Sequence, residues 1–332
     1  MSVEASLLEA PAEWNALVER SAETTPFHRD EALEVIADHS DTTLYPYVGY
    51  KGQEPVGIFP VFALRRGPLR TAFSPPPDLE VSYLGPARLD GHGAKQRKAE
   101  KRHRRFVEAV VDAVDAEIDP HYTHVRAGTA YRDPRPFIWN GFDPTPRYTY
   151  HVDLTPDVDD LFMSFSSDVR HNVRNADESA YEIVEGGPVG VERTVRSVRD
   201  RHDEQGVSYN VTPAFARDLY RILPEGTVRA YVCERHGEFL GGKLTLEDEQ
   251  TCYGWQTASD LDVDLPVADL LDWTVMRRAN QQGLSRMDLI GANKQRLCGY
   301  KAKFNPTVRT HYSLEDSTPA TDAIKTLYMR LR

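Results

Sequence analysis

The feature that most constrains this chain is a repeated order of elements. "AEWNALVERSAE" and "VERTVRSVRDRHDEQG" each read as a helix, the first with Trp14, Leu17 and Val18 on one face. "TPFHRDEALEVI" is followed later by "TPAFARDLYRIL". "YVGYKGQEPVGIFPVF" and "YVCERHGEFLGGKLTL" both read as a strand, a charged glycine turn and a second strand, opening on Gly57 and Gly241 respectively. Helix, helix and hairpin thus recur in one order, which predicts a structural duplication. Helices and strands mixed twice over predict an α/β (α+β) architecture with mixed central sheets flanked by helices. A length of 332 residues accommodates two domains. The Pro- and aromatic-rich stretch "DPRPFIWNGFDPTPRYTYHVDL" is the expected junction, giving domains 1–150 and 151–332.

Other elements follow from periodicity. "AKQRKAEKRHRRFVEAVVDAVDAEI" predicts one helix with an apolar stripe through Phe106, Val107, Val110, Val111 and Val114. Thr155 is expected to cap a helix that carries Leu161, Phe165, Val169 and Val173 at i+4 spacing. "TCYGWQTAS" reads as a strand, and "PVADLLDWTVMRRANQQG" as a helix stopped at Gly283. "SRMDLIG" reads as a strand, and "YKAKFNPTVRTHYSL" as a turn followed by a last strand.

The hydrophobic fraction of 40% supports a packed core, and the 27% of charged residues is ordinary for a folded protein. A net charge of −11 argues against general binding of duplex DNA, which needs cations against phosphates. The lean towards Asp and Arg points to a high-GC and halophilic source. The cysteines Cys233, Cys252 and Cys298 form no CxxC pair, so neither a disulfide framework nor a metal site is expected. The N-terminus lacks the basic and apolar regions of a signal peptide, and no run is long enough to span a membrane. A cytoplasmic setting is expected. Nothing in the residues sets an oligomeric state.

Against this acidic background, "SSDVRHNVRNA" places Arg170, His171 and Arg174 within little more than one helical turn. Arg170 and Arg174 are four apart, so they point the same way from the flank of the buried stripe. Guanidinium forks suit phosphate or carboxylate, whereas the bland alternative is pairing along the helix, for example Arg174 with Glu178. A second basic run, Lys95 to Arg105, suits either a solvated helix end or a phosphate-rich partner such as RNA. Tyr253 and Trp255 alternate onto one strand face and Gln256 onto the other; they line either a cleft or a core. Asp269 opens a helix, serving the helix dipole or orienting a substrate amine.

The segment "GFDPTPRYTYHVDLTPDVDDLFMSFSSDVRHNVRNA" resembles the central part of FemA/FemB/FemX-type transferases, with Gly141-Phe142, Asp153-Leu154, Arg170 and Arg174 in that family's order. "DLIGANKQRLCGYKAKFNP" resembles its closing pattern through Asp288, Gly291, Tyr300-Lys301 and Phe304. The second half also resembles BioF2-like acetyltransferase domains. The resemblance implies two tandem GNAT-like (acyl-CoA N-acyltransferase fold) domains. It implies transfer of an acyl or aminoacyl group to a small-molecule or peptide amine. Acyl-CoA or aminoacyl-tRNA would be a donor substrate, with no permanently bound cofactor.

Lys301 is then the expected catalytic residue, stabilising the oxyanion or a donor phosphate; a surface lysine on a strand is the alternative. Tyr300, Lys303, Asn293 and Arg296 are expected nearby as substrate contacts. CoA-binding GNAT enzymes carry Gln/Arg-x-x-Gly-x-Gly/Ala before a helix; in the second half this position is "ASDLDVDLPVADLL", acidic and without glycine. In the first half, Arg65-Arg66-Gly67 is a weak match. The two other classes left open are a CoA-dependent N-acetyltransferase and a non-catalytic RNA- or partner-binding protein that uses the 95–105 arm.

Overall fold

The computed structural model describes residues 2–89, 95–260 and 262–317. In chain order the elements are β1 (Glu4–Leu7), α1 (Pro11–Val18), α2 (Asp30–Ser40), β2 (Thr43–Lys51), β3 (Glu54–Arg66) and β4 (Leu69–Ser74). They continue as β5 (Ala87–Arg88), α3 (Gln96–Glu117), β6 (Tyr122–Ala127), α4 (Arg135–Trp139) and β7 (Asp143–Asp153). Next come α5 (Val158–Ser164), α6 (Ser167–Asn175), β8 (Glu182–Glu185), α7 (Gly187–Glu204), α8 (Pro213–Ile222), β9 (Val228–Arg235) and β10 (Glu238–Glu247). The last are β11 (Thr251–Ser259), α9 (Val267–Gln281), β12 (Arg286–Asp288), α10 (Gln295–Lys301) and β13 (Thr307–Ser317).

Two compact units result: one holds residues up to Pro146 and those from His311, the other Arg147–Thr310. Within the first, the strand order is β1-β2-β3-β4-β6-β13; within the second it is β8-β9-β10-β11-β12-β7. The pairings agree step for step. Neighbours are antiparallel except for one parallel step, β4 with β6 and β11 with β12. The repeat expected from sequence is therefore a repeat of topology: strand, two helices and a hairpin, twice. In each unit the strand after the parallel step comes from elsewhere in the chain, β13 in the first and β7 in the second.

Close packing explains the glycines that open each hairpin's second strand. A Cβ on Gly57 would lie 2.5 Å from the Phe106 ring of α3, and one on Gly242 would lie 2.1 Å from Thr194 Oγ1 of α7. Phe106, Val107, Val110 and Val114 are buried, as the stripe predicts. The second core joins Leu161, Phe165 and Val169 to Leu271, Val275 and Met276 of α9.

Three local expectations need correction. The helix expected after Thr155 is two helices. Asp157, not Thr155, is the cap, its carboxylate accepting from Asp159 N at 2.9 Å, while Thr155 bonds back to Asp153. Phe165 is extended, and Ser166 N instead donates to Lys303 O at 2.8 Å, which breaks the helix and starts α6. Tyr300 and Lys301, expected in a turn, lie on helix α10, and Lys303 lies in the 3-10 turn after it. Arg65, Arg66 and Gly67 form the β3–β4 hairpin turn, with Gly67 at φ 59°, and precede no helix.

Candidate functional site

The candidate site is built in the second unit from α6, β10, α9 and α10. Lys301, on the last turn of α10, sends its Nζ to Ile290 O at 2.5 Å and Gly291 O at 2.9 Å. An ammonium has three donors, so one remains for a ligand. These carbonyls are held in place by buried Asp288, whose carboxylate accepts from Thr149 Oγ1 at 2.6 Å and from Ile290 N at 2.8 Å. Ile290 and Gly291 both take positive φ, which turns the loop around the lysine. Burial, and then the nearby Lys243 ammonium, lower the Lys301 pKa to about 8.

Lys243 is buried on β10 and points to α9. Its Nζ lies 2.7 Å from Asp272 Oδ1 and 3.2 Å from Thr257 Oγ1. Tyr300 OH donates to Asp272 Oδ2 at 2.7 Å. Burial and the carboxyls of Asp272 and Asp269 push the Tyr300 phenol well above its ordinary range. Asp269, one turn before Asp272 on α9, accepts from Asn172 Nδ2 of α6 at 2.6 Å. A polar ladder thus runs from α6 through α9 to Lys243 and Tyr300.

On the other side of α6, Arg170 Nη1 and Arg174 Nη2 converge on Met163 Sδ, at 3.6 and 3.3 Å. Arg174 also lies over the Phe162 ring, 5.2 Å from its centroid. Among the described residues neither arginine has a carboxylate partner, so the bridge to Glu178 is not made. The Arg170 Nε is buried and unpartnered. Two cations thus converge on one thioether with no acid between them.

The remaining candidates divide. Lys303 is paired with Asp168 at 3.0 Å and lies over the Tyr300 ring. His171 bonds its own helix neighbour Asn175 and is exposed. Asn293 clamps the backbone of Tyr148 through both amide atoms, each at 3.0 Å. Arg296 is exposed in the first turn of α10. The expected alternation on β11 fails because a bulge opposite Leu244 and Thr245 admits Trp255 as an extra residue. Gln256 pairs across from Leu244 and bonds Tyr209 OH at 2.7 Å, while Trp255 packs edge-on against Phe215 of α8. Tyr253 bonds Asp248. These three belong to strand packing rather than to the ladder.

Lys243 and Asp272 were not found from sequence, although the signal existed. Lys243 is the one charge inside "FLGGKLTL", and a lysine buried in a strand calls for a buried acid. Asp272 follows Asp269 by three on an apolar helix face, where an acid needs a partner. A second missed signal lies in the first unit. Arg88-Leu89-Asp90-Gly91-His92-Gly93 fits Arg-x-x-Gly-x-Gly just before α3, although Asp90, Gly91, His92 and Gly93 lie outside the described residues. Beside the start of α3 is a cavity of about 360 Å³ lined by Arg88, Gln96, His103, Arg132 and Arg135 among others. Elsewhere on the same helix, Arg97, Lys98, Lys101 and Arg104 from the basic run are exposed.

Residues 163–302 match the family model of the Acetyltransferase (GNAT) domain, a span that contains Arg170, Asp269, Asp272 and Lys301. Solved structures agree over the whole chain. FemX superposes with a TM-score of 0.70 at 12% identity, covering 93% of this chain and 96% of that one. The chain has the tandem GNAT fold. A tandem GNAT protein from the clavulanic acid biosynthesis pathway matches at TM-score 0.51 and 16% identity, covering 94% and 98% of the two chains. L-PGS from Bacillus licheniformis matches at 0.57 and 11% identity, covering 97% and 96%. No curated protein matches the chain by sequence. Among the described residues no helix of this GNAT-fold chain is long and apolar enough to cross a membrane, and no cluster of His, Cys, Asp and Glu could hold a metal ion.

Proposed function

We propose that this protein is an acyltransferase of the Fem type, moving an aminoacyl or acyl group from a phosphate-bearing donor onto an amine. The observation that carries this reading is the pair Arg170 and Arg174, held together at Met163 with no carboxylate partner among the described residues. A paired guanidinium site left open suits the phosphates of a donor such as aminoacyl-tRNA. The acceptor amine attacks the donor carbonyl directly. The free donor of Lys301 supports the oxyanion, or the leaving oxygen, as charge develops. At neutral pH Lys301 is mostly charged, with a pKa of about 8, as this role requires.

The likeness to FemX and the acidic, glycine-free approach to α9 support an aminoacyl donor at this unit. A second reading rests on the Arg88-x-x-Gly91-x-Gly93 pattern before α3: acyl-CoA would be the donor, bound at the first unit. Calorimetry with acetyl-CoA and with a mixture of aminoacyl-tRNAs separates the two. Under the first reading aminoacyl-tRNA binds, and the Arg170→Ala/Lys301→Ala double variant weakens it. Acetyl-CoA binding that is unchanged in that variant but lost in Arg132→Ala/Arg135→Ala would replace the first reading with the second. RNA binding that falls steeply with salt, without turnover of either donor, would favour a binding protein instead.

A further inference from the structure

The ladder between α6 and α9 leaves one carboxyl oxygen without a donor. Four carboxyl oxygens meet there. Asp272 Oδ1 faces Lys243 Nζ at 2.7 Å, Asp272 Oδ2 accepts from Tyr300 OH at 2.7 Å, and Asp269 Oδ2 accepts from Asn172 at 2.6 Å. Asp269 Oδ1 is buried and has no partner, and the residue is 4% exposed. Tyr300 OH stands near both acids, but its single proton goes to Asp272. Lys301 gives two of its three donors to the Ile290 and Gly291 carbonyls, and no hydrogen bond from it to Asp269 is made. Lys243 is in contact with Asp272, and the Lys301 charge also acts on Asp272, whereas Asp269 has no ammonium in contact among the described residues. An acid in a helix's first turn gains from the dipole, but such acids usually face water; this one does not. A buried carboxyl oxygen without a donor keeps its full desolvation cost, and its persistence calls for an occupant.

We propose that Asp269 binds the free α-ammonium of the aminoacyl group on the donor, so that the enzyme selects aminoacyl over N-blocked or simple acyl donors. A primary ammonium supplies the missing hydrogen bond and gives Asp269 a cation in contact. An amine held as counter-ion between two buried acids keeps its proton and does not attack. That state suits the donor's own amine, which must stay unreactive, and is wrong for the acceptor's. Asn172 positions Asp269 by holding its other oxygen. The inference rests on the aminoacyl-transfer reading above and narrows it to a substrate class.

The test uses transfer RNA ending in 3′-amino-3′-deoxyadenosine, charged through a stable amide with a mixture of amino acids. Its affinity is compared with that of the same RNA after N-acetylation and of the uncharged RNA. Wild type is expected to prefer the free amine to the acetylated form at least tenfold. Asp269→Asn is expected to erase that preference. Tighter binding of both charged forms than of uncharged RNA, with no preference between them, would leave aminoacyl transfer standing and overturn the role of Asp269. A trapped water on Oδ1 predicts that outcome. Equal binding of all three RNAs, or none, would overturn the aminoacyl reading and this inference with it. A preference that persists in Asp269→Asn also overturns it. If Asp269→Asn does not fold, the wild-type ratio decides, together with Asn172→Ala, which frees Asp269 to turn away and should lower the preference.

Discussion

Replacing Lys243 with methionine isolates the central ion pair of the second unit. Lys243 and Asp272 side chains are 6% and 4% exposed, with Nζ and Oδ1 2.7 Å apart. Methionine fills much of the lysine's volume, so little cavity is added. What changes is that Asp272 keeps only the Tyr300 hydroxyl and loses its cation. Breaking a buried pair from one side typically costs about 3–5 kcal/mol. For a domain of roughly 150–250 residues each kcal/mol moves Tm by about 2–4 °C, so the second unit should melt about 6–20 °C lower. The double variant Lys243→Met/Asp272→Leu removes the stranded charge and should recover most of the loss. Tyr300 then loses an acceptor, worth about 1 kcal/mol, but can turn to Asp269. Urea and thermal unfolding followed by far-UV circular dichroism and tryptophan fluorescence would complete the double-mutant cycle. A single variant within about 1 kcal/mol of wild type, or a double variant whose loss is the sum of the two singles, would refute the buried-pair account.

Further tests follow from other parts of the molecule. If the Lys301 ammonium serves the reaction, turnover should fall as pH rises through about 8, and Lys301→Ala should lose roughly 10²–10³-fold in kcat. A Lys301→Arg enzyme that keeps the same alkaline fall would assign that limb to another group. Gly57→Ala forces a Cβ to within 2.5 Å of the Phe106 ring and should cost about 1–3 kcal/mol in unfolding measurements; an unchanged midpoint would mean the ring gives way freely. Burial lowers the pKa values of His28 and His103 to about 4, with the Arg88 charge adding to the effect at His103. Between pH 6.5 and 4 the unfolded chain therefore binds protons that the native one refuses, and stability falls as pH is lowered across that window. Each histidine contributes on the order of 3 kcal/mol by pH 4, and His28→Gln should flatten the acid limb of a urea-midpoint profile. An acid limb of unaltered slope in that variant would remove His28 from the account.

Much of the architecture was legible because it is written in local periodicity. The stripe through Phe106, Val107, Val110 and Val114 is buried as its spacing requires, with Val111 half-buried at its edge; Leu161, Phe165 and Val169 are buried too, although on two helices rather than one, and Val173 is half-buried. The recurring helix, helix and hairpin is the repeated topology of the two sheets. Arg170 and Arg174 share a direction because α6 is helical. The misreadings share a cause as well. The helix expected to run through Phe165 breaks where Ser166 bonds Lys303, a partner far along the chain. Tyr300 and Lys301 read as part of a turn because a seven-residue helix is too short to show its period.

By itself, then, the sequence determined the kinds of elements, their order and their apolar faces, since each depends on residues within a turn or two of one another. Only the tertiary structure decided that β13 returns to pair with β6, that Lys243 meets Asp272, and that Asp269 keeps an oxygen without a donor. Those are meetings of residues far apart in the chain, and burial sets their energetics. Whether a lysine or an aspartate is solvated or must find a partner depends on what covers it, and no local pattern records that.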